Sequence, residues 1–127
     1  MKQAWIKALF VIAGFYDVVL GAGFLVFGLD IFRIVRVTPP NHVGYIQFPA
    51  LLLIIFGAMF FRVAANPLKN RELMLYGMGL KIAYSGVTFW HALHGGIPFF
   101  WLPWAWADLG FLILFVIAWQ QTRDLSG

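Results

Sequence analysis

Four long apolar runs dominate this sequence, and each holds at most two Asp, Lys or His side chains between its ends. A helix rises about 1.5 Å per residue, so about 20 apolar residues cross a hydrocarbon layer roughly 30 Å thick. The runs have that length and cover residues 8–29, 43–61, 73–93 and 99–119. The sequence therefore predicts an all-α fold, an integral membrane four-helix bundle that forms a single domain over residues 1–127.

The composition excludes several classes of function. With 62% hydrophobic and 11% charged residues, the chain has too few polar side chains to cover a water-soluble domain of its size. It has no cysteine, which rules out disulfides, iron–sulfur clusters and thiolate metal sites. The net charge of +4 could suit nucleic acid, but the basic residues flank the apolar runs and form no patch. The predicted partner is thus a lipid bilayer and not a nucleic acid.

The basic residues also predict an orientation. If the N-terminus is cytoplasmic, the Lys and Arg residues near the run ends divide six to two between the inner and the outer side. The inner set is Lys2, Lys7, Arg62, Lys69, Arg71 and Arg123, and the outer set is Arg33 and Arg36. We therefore predict a multi-pass protein of the cell membrane, in a bacterial inner membrane, with both termini inside. A cleaved signal peptide is the alternative for the first run, but Asp17 would interrupt its apolar region.

Three ionisable residues lie near the middle of their runs: Asp17, Lys81 and Asp108. Each is on the order of 12 to 14 Å from an end of its helix. A lone charge at that depth costs roughly 2.5 to 3.5 kcal/mol on insertion scales, so the three should face inward and find one another. The simplest arrangement pairs Lys81 with one or both carboxylates. Two acids and one amine leave an excess negative charge, so one carboxyl is expected to hold a proton at neutral pH.

Helical phase predicts the rest of this polar core. At 100° per residue, several polar residues of the third run share one narrow arc with Lys81, and the second run offers an amide nearer its outer end. The predicted core comprises Asp17, Lys81, Asp108, Tyr84, Ser85, Thr88 and Gln47. It could bind a ligand, carry protons, or only specify how the helices pair. Gly14, Gly21 and Gly28 share a face of the first run and should allow a close helix contact.

The histidines form a second candidate site. His42 precedes the second run, and His91 and His94 end the third, so the predicted topology places all three on the outer side with Asp30. Imidazole and carboxylate groups are suitable ligands for zinc or copper, and a histidine pair can hold haem. Loop histidines are more often simply solvated. The tryptophans of the fourth run are expected to be membrane-interface anchors or lipid-facing bulk: Trp101, Trp104, Trp106 and Trp119.

No catalytic fingerprint is present, whether of hydrolases, metalloproteases, P-loop proteins or dinucleotide-binding enzymes. The leading hypothesis is a non-enzymatic membrane protein that binds a small ligand, a lipid or a quinone, or serves as an accessory subunit of a larger complex. The alternatives are a proton-coupled transporter acting as a homo-oligomer, an outer-face metal or haem protein, and a membrane enzyme that uses Asp17 and Asp108 as acid and base. The sequence specifies no cofactor.

Three segments carry a resemblance to known proteins: Tyr45-Ile46-Gln47-Phe48-Pro49, Asn66-Pro67-Leu68-Lys69-Asn70-Arg71, and Gly79-Leu80-Lys81-Ile82-Ala83-Tyr84. They resemble the small, uncharacterised four-helix membrane proteins of bacterial genomes. In size and helix count the chain is also similar to DoxX-like proteins. The resemblance implies a four-helix membrane bundle over nearly the whole chain, and it implies no activity and no functional residue.

Overall fold

The computed structural model describes residues 2–126, and the side chains of residues 3–123. Four α-helices make up this part of the chain: α1 (Lys2–Ile34), α2 (Gly44–Ala65), α3 (Arg71–Leu93) and α4 (Leu102–Ser126). A short 3-10 turn, Phe99–Trp101, precedes α4. The prediction of an all-α chain with four helices is confirmed, and the connectors fall where proline and glycine residues interrupt the apolar runs.

The first helix is longer than the apolar run that predicts it. The polar residues before residue 8 and after residue 29 continue α1, because Lys, Gln and Arg are good helix formers. At Phe27 the backbone leaves helical geometry, with φ −116° and ψ 18°, and α1 is kinked there. The stretch before the kink, residues 2–26, is about 37 Å long at 1.5 Å per residue.

Three of the helices in the described chain are long and apolar enough to cross a membrane, judged by length and composition: residues 3–34, residues 44–65, and the segment from Phe99 to Arg123. The prediction of four apolar spans therefore holds for three. The exception is α3, whose 23 residues include Lys81, Ser85 and Thr88. These polar side chains lower its mean hydropathy, and all three are buried within the protein.

The helices pair as two hairpins, α1 with α2 and α3 with α4, and the hairpins meet through fewer contacts. Glycines allow the first pair to approach closely. A Cβ atom added at Gly21 would lie 2.5 Å from the Ala50 carbonyl oxygen, and one added at Gly57 would lie 2.4 Å from Val18 Cγ2. The predicted glycine face of α1 thus packs against α2.

An aromatic cluster fills the bundle toward the chain ends. Phe10 stacks on Phe115 with 4.7 Å between ring centroids, and Phe60 lies 5.2 Å from Phe115. All three rings are fully buried. At this end Trp5 donates a hydrogen bond of 2.9 Å to Gln121 and so joins α1 to α4. Packed rings and this hydrogen bond therefore join the two hairpins beside the chain ends.

Candidate functional site

The three mid-helix charges meet in the structure. Lys81 on α3 donates hydrogen bonds of 3.1 Å to Asp17 Oδ1 on α1 and of 3.1 Å to Asp108 Oδ1 on α4. Asp17 is fully buried, Lys81 is 1% exposed and Asp108 is 6% exposed. The ammonium group lies between the two carboxylates, and its bond to Asp17 joins the two helix hairpins. With Lys81 charged and both carboxylates ionised, this charge cluster has a net charge of −1.

Aromatic rings surround the ammonium group on its remaining sides. Lys81 Nζ lies 5.1 Å from the ring centroids of Tyr16 and Phe111 and 5.7 Å from that of Phe60. Cations are attracted to the faces of such rings at distances up to about 6 Å. The rings therefore help to stabilise the charge of the buried lysine.

The other predicted residues of α3 support the helix and do not contact the carboxylates directly. The Ser85 hydroxyl donates a hydrogen bond to the Lys81 carbonyl oxygen one turn back, within α3. Tyr84 donates a 2.9 Å hydrogen bond to the carbonyl oxygen of Trp101, which ties α3 to the start of α4. Thr88 is buried, one turn beyond Tyr84. The polar arc predicted for α3 thus faces the interior.

Gln47 does not join the cluster, contrary to the prediction. It is exposed on α2, whereas Ile46 and Ala50 are the buried residues of the same turns. Successive residues point about 100° apart on a helix, so the inward position of Ile46 turns the neighbouring amide outward. The inward-facing residue of this turn is thus Ile46, and Gln47 lies one position away from the inner face of α2.

The histidines are not brought together as a metal site. In the part of the chain that the structure describes, no group of three or more His, Asp or Glu side chains is arranged to hold a metal ion. His42, His91 and His94 are all exposed. His42 accepts a hydrogen bond of 2.9 Å from the Gly44 N–H, and His94 stacks on Trp90 with 4.0 Å between ring centroids.

A cavity of about 320 Å³ lies next to the charge cluster, between the two hairpins. It extends from Asp17 and Asp108 toward the connector between α1 and α2, and all four helices contribute to it. Apolar and aromatic side chains form nearly all of its wall. The lining residues are Tyr16, Asp17, Leu20, Phe24, Phe32, Pro40, Tyr45, Ile46, Pro49, Ala50, Leu52, Leu53, Leu80, Tyr84, Trp101, Trp104 and Asp108.

Three residues of the cavity wall each have a buried polar atom without a hydrogen-bond partner. Among the side chains that the structure describes, the buried N and O atoms without a partner are Tyr16 Oη, Asp17 Oδ2 and Trp104 Nε1. All three residues line the cavity. Buried polar atoms in proteins are nearly always hydrogen-bonded, so these three atoms distinguish this region from the rest of the described interior. The atoms are themselves buried and are not exposed to the cavity.

Sequence reasoning missed Tyr16 and Trp104 as site residues. Trp104 was assigned to the membrane interface, yet it lies four residues before Asp108 and therefore on the same face of α4. Tyr16 directly precedes Asp17, and only the structure shows that its ring reaches Lys81. The i, i+4 spacing of Trp104 and Asp108 was the one signal in the sequence that could have identified this pair.

No protein-family model, curated protein or solved structure matches this chain. The geometry of the charge cluster and its cavity is therefore the basis for a functional proposal.

Proposed function

We propose that this chain is a multi-pass membrane protein in which all four helices cross the bilayer. Large apolar side chains cover the outside of each helix: Val19 on α1 is 65% exposed, Ile55 on α2 61%, Ile82 on α3 55% and Ile113 on α4 54%. An apolar surface of this extent would drive association in water and is well suited to lipid contact. In the middle of α3 the polar residues Lys81, Ser85 and Thr88 point inward, so the outer face of this stretch can also contact acyl chains. At 23 residues, α3 is about 34 Å long, which suffices to cross.

Our proposal includes an orientation with both chain ends in the cytoplasm, which the distribution of Lys and Arg supports. The chain contains no cysteine, so single cysteines can report on sidedness. Thr38 lies in the connector between α1 and α2, and Ala65 is the last residue of α2; both are exposed. In intact cells, a membrane-impermeant maleimide should label Thr38→Cys, and Ala65→Cys only after lysis. The reverse pattern would overturn the orientation.

The cavity supports a function within this bundle: the binding of a small, largely apolar ligand of the lipid or quinone type. One observation carries this proposal, namely that a cavity with largely apolar walls lies beside the buried charge cluster of Asp17, Lys81 and Asp108. Its volume of about 320 Å³ is at the lower end of the range of small-molecule sites, about 300 to 1,000 Å³. Its walls are mostly apolar with a few polar groups at one end, which is the usual composition of a ligand site.

A variant in which a larger side chain fills part of the cavity tests this proposal. Leu20 lines the cavity, so Leu20→Phe should fill part of it, and Leu29→Phe is the matched control because Leu29 is 54% exposed and lies outside the lining. Four radiolabelled probes that share a ten-carbon chain, 1-decanol, 2-decanone, decylamine and decanoate, would be measured for binding to each variant in lipid nanodiscs. We expect saturable binding of at least one probe to the unmodified protein and to Leu29→Phe, and a large loss in Leu20→Phe. If no probe distinguishes the two variants, the proposal is wrong.

A further inference from the structure

The charged residues of the cavity wall all have the same sign. Asp17 and Asp108 line the cavity, and no Lys, Arg or His of the described chain does so. Lys81 donates a hydrogen bond to each carboxylate but lies outside the lining. With the three groups ionised, two negative charges meet one positive charge, and a net charge of −1 is buried. Burial of an uncompensated charge is unfavourable, so the site favours an occupant with one positive charge.

Asp108 is the member of the charge cluster that an occupant of the cavity can reach. Its side chain is 9% exposed, whereas the side chains of Lys81 and Asp17 are 1% and 0% exposed. Lys81 binds Oδ1 of Asp108. Within the described chain, Oδ2 of Asp108 accepts no hydrogen bond, and unlike Asp17 Oδ2 it is not one of the buried unpartnered atoms. Asp108 Oδ2 is therefore open to a group in the cavity.

We propose that the ligand is a largely apolar amphiphile with one positively charged group, such as a primary ammonium, that pairs with Asp108. This inference rests on the binding function proposed above and specifies the charge of its ligand. Bound there, the ligand extends the alternating contacts of Asp17, Lys81 and Asp108 by one further cation, and the charges then sum to zero. Hydrogen bonds between an ammonium group and a carboxylate are also among the strongest in proteins.

Aromatic side chains of the cavity wall are suited to a positive charge near Asp108. Trp104 lies one helical turn before Asp108, on the same face of α4, and Tyr84 of α3 lines the same cavity. The Tyr84 hydroxyl donates a hydrogen bond to the Trp101 carbonyl oxygen, which fixes this side chain in the wall. Aromatic rings attract cations at distances up to about 6 Å, as the rings around Lys81 illustrate. The apolar remainder of the wall can contact the chain of the amphiphile.

Other head groups do not balance the charge of the cluster. A carboxylate ligand adds a third acid beside Asp17 and Asp108, which low dielectric opposes. A hydroxyl or a ketone leaves the net charge at −1. A proton on one of the two acids, as the sequence predicts, also balances the charge, and a cluster that retains this proton would have no preference for a cationic ligand. The preference for a cation is thus the quantity to measure.

The four ten-carbon probes test this preference, because they differ in the charge of the head group. Decylamine is positively charged at neutral pH, as lysine is, decanoate is negative, and 1-decanol and 2-decanone are neutral. The nanodiscs should consist of phosphatidylcholine, which has no net charge and does not itself attract the amine. We expect decylamine to bind about tenfold more tightly than 1-decanol, and decanoate to bind most weakly. If decylamine binds no more tightly than 1-decanol, the inference is wrong.

Two asparagine variants link the preference to Asp108. Asp108→Asn removes the reachable charge and leaves Lys81 paired with Asp17, so the remaining cluster is neutral and the bundle should still form. Decylamine should then bind about tenfold more weakly, close to 1-decanol, whose own affinity should change little. Asp30→Asn is the matched control, because Asp30 is exposed on α1 and lies outside the cavity lining. Equal effects of the two variants would overturn the assigned role of Asp108. The comparison of the four probes on the unmodified protein requires neither variant.

The outcomes separate this inference from the proposed function. If every probe binds the unmodified protein and Leu20→Phe alike, the cavity holds no ligand and both proposals fail. If Leu20→Phe abolishes binding of 1-decanol or 2-decanone while decylamine has no advantage over them, the binding function stands and the cationic ligand is excluded. If decylamine binds best and both Leu20→Phe and Asp108→Asn remove its advantage, both are supported.

Discussion

Both halves of the bundle contain many aromatic side chains, but the halves pack these side chains differently. The closed half lies between the chain ends and Lys81, and there the rings of Phe10, Phe60 and Phe115 pack on one another. The open half lies between Lys81 and the connector of α1 and α2, and there rings such as Tyr16 and Trp104 surround a cavity of about 320 Å³. The charge cluster lies between the two halves.

Polar groups follow the same division. In the closed half, Trp5 is hydrogen-bonded to Gln121, and Arg71 donates to the carbonyl oxygen of Trp119 from both Nε and Nη2, at 3.0 and 2.7 Å. In the open half, the side chains of Tyr16, Asp17 and Trp104 each keep a buried atom without a partner. We propose that the closed half provides most of the stability and that the open half provides the binding site. Four sets of substitutions test this division.

The largest effect on stability is expected at the charge cluster, which lies between the two halves. Lys81→Met would leave Asp17 and Asp108 buried without their cation, and the free energy of unfolding should fall by about 3 to 5 kcal/mol, as when one partner of a buried ion pair is removed. The measurement is unfolding of the purified protein in mixed micelles with increasing SDS. Adding Asp17→Asn and Asp108→Asn to Lys81→Met removes both stranded charges and should restore part of the loss. If Lys81→Met alone is as stable as the original chain, the cluster does not hold the two hairpins together.

A pair of phenylalanines compares the two halves directly. Phe115 is fully buried in the closed half, and Phe24 is half-buried at the cavity wall. Phe115→Ala should lower the free energy of unfolding by about 3 kcal/mol, because it opens a void among packed rings, with little effect on probe binding. Phe24→Ala should cost clearly less stability, since one side of its ring already faces a cavity, yet it should weaken probe binding. Similar stability losses for the two variants would contradict the division into halves.

The sequence was sufficient to predict the helices and the meeting of the three charges, because both follow from the properties of single runs. A lone Asp or Lys in the middle of an apolar helix has few partners, so pairing Lys81 with Asp17 and Asp108 was nearly forced. The inward-facing polar arc of α3 followed from the helical period alone, because residues three and four positions apart share a face.

The cavity could not be predicted in the same way. Whether facing side chains fill a space depends on the combined volumes of residues from four helices, and no pattern within one run contains that information. Phe10 and Phe24 look alike in the sequence, although one is fully buried among rings and the other lines a cavity. The same limitation explains why Trp104 was assigned to the membrane interface.

A smaller effect on stability is expected at Arg71, which joins α3 to α4 in the closed half. Arg71 bonds to the Trp119 carbonyl oxygen and to Thr122 Oγ1, and its guanidinium lies 4.1 Å from the Trp119 ring centroid. Arg71→Lys keeps the charge but loses the planar group that makes these contacts together, so the free energy of unfolding should fall by about 1 to 2 kcal/mol. Probe binding should stay unchanged, and a binding defect in this variant would show that the halves are coupled.

The smallest effect on stability is expected at Gln47. This position tests which residues of α2 belong to the cavity wall. The sequence predicted this amide to be part of the polar core, whereas the structure exposes it on α2. Gln47→Leu should therefore change the free energy of unfolding by less than about 0.5 kcal/mol and leave the affinity for 1-decanol unchanged. The comparison with Ile46→Gln is informative, because Ile46 is buried at the cavity wall one position away. That variant places an amide on the inner face and should weaken binding of an apolar chain. If Gln47→Leu were instead the variant that impairs binding, α2 would present a different face to the cavity than the structure shows. Gln47 would then belong to the cavity wall of the open half.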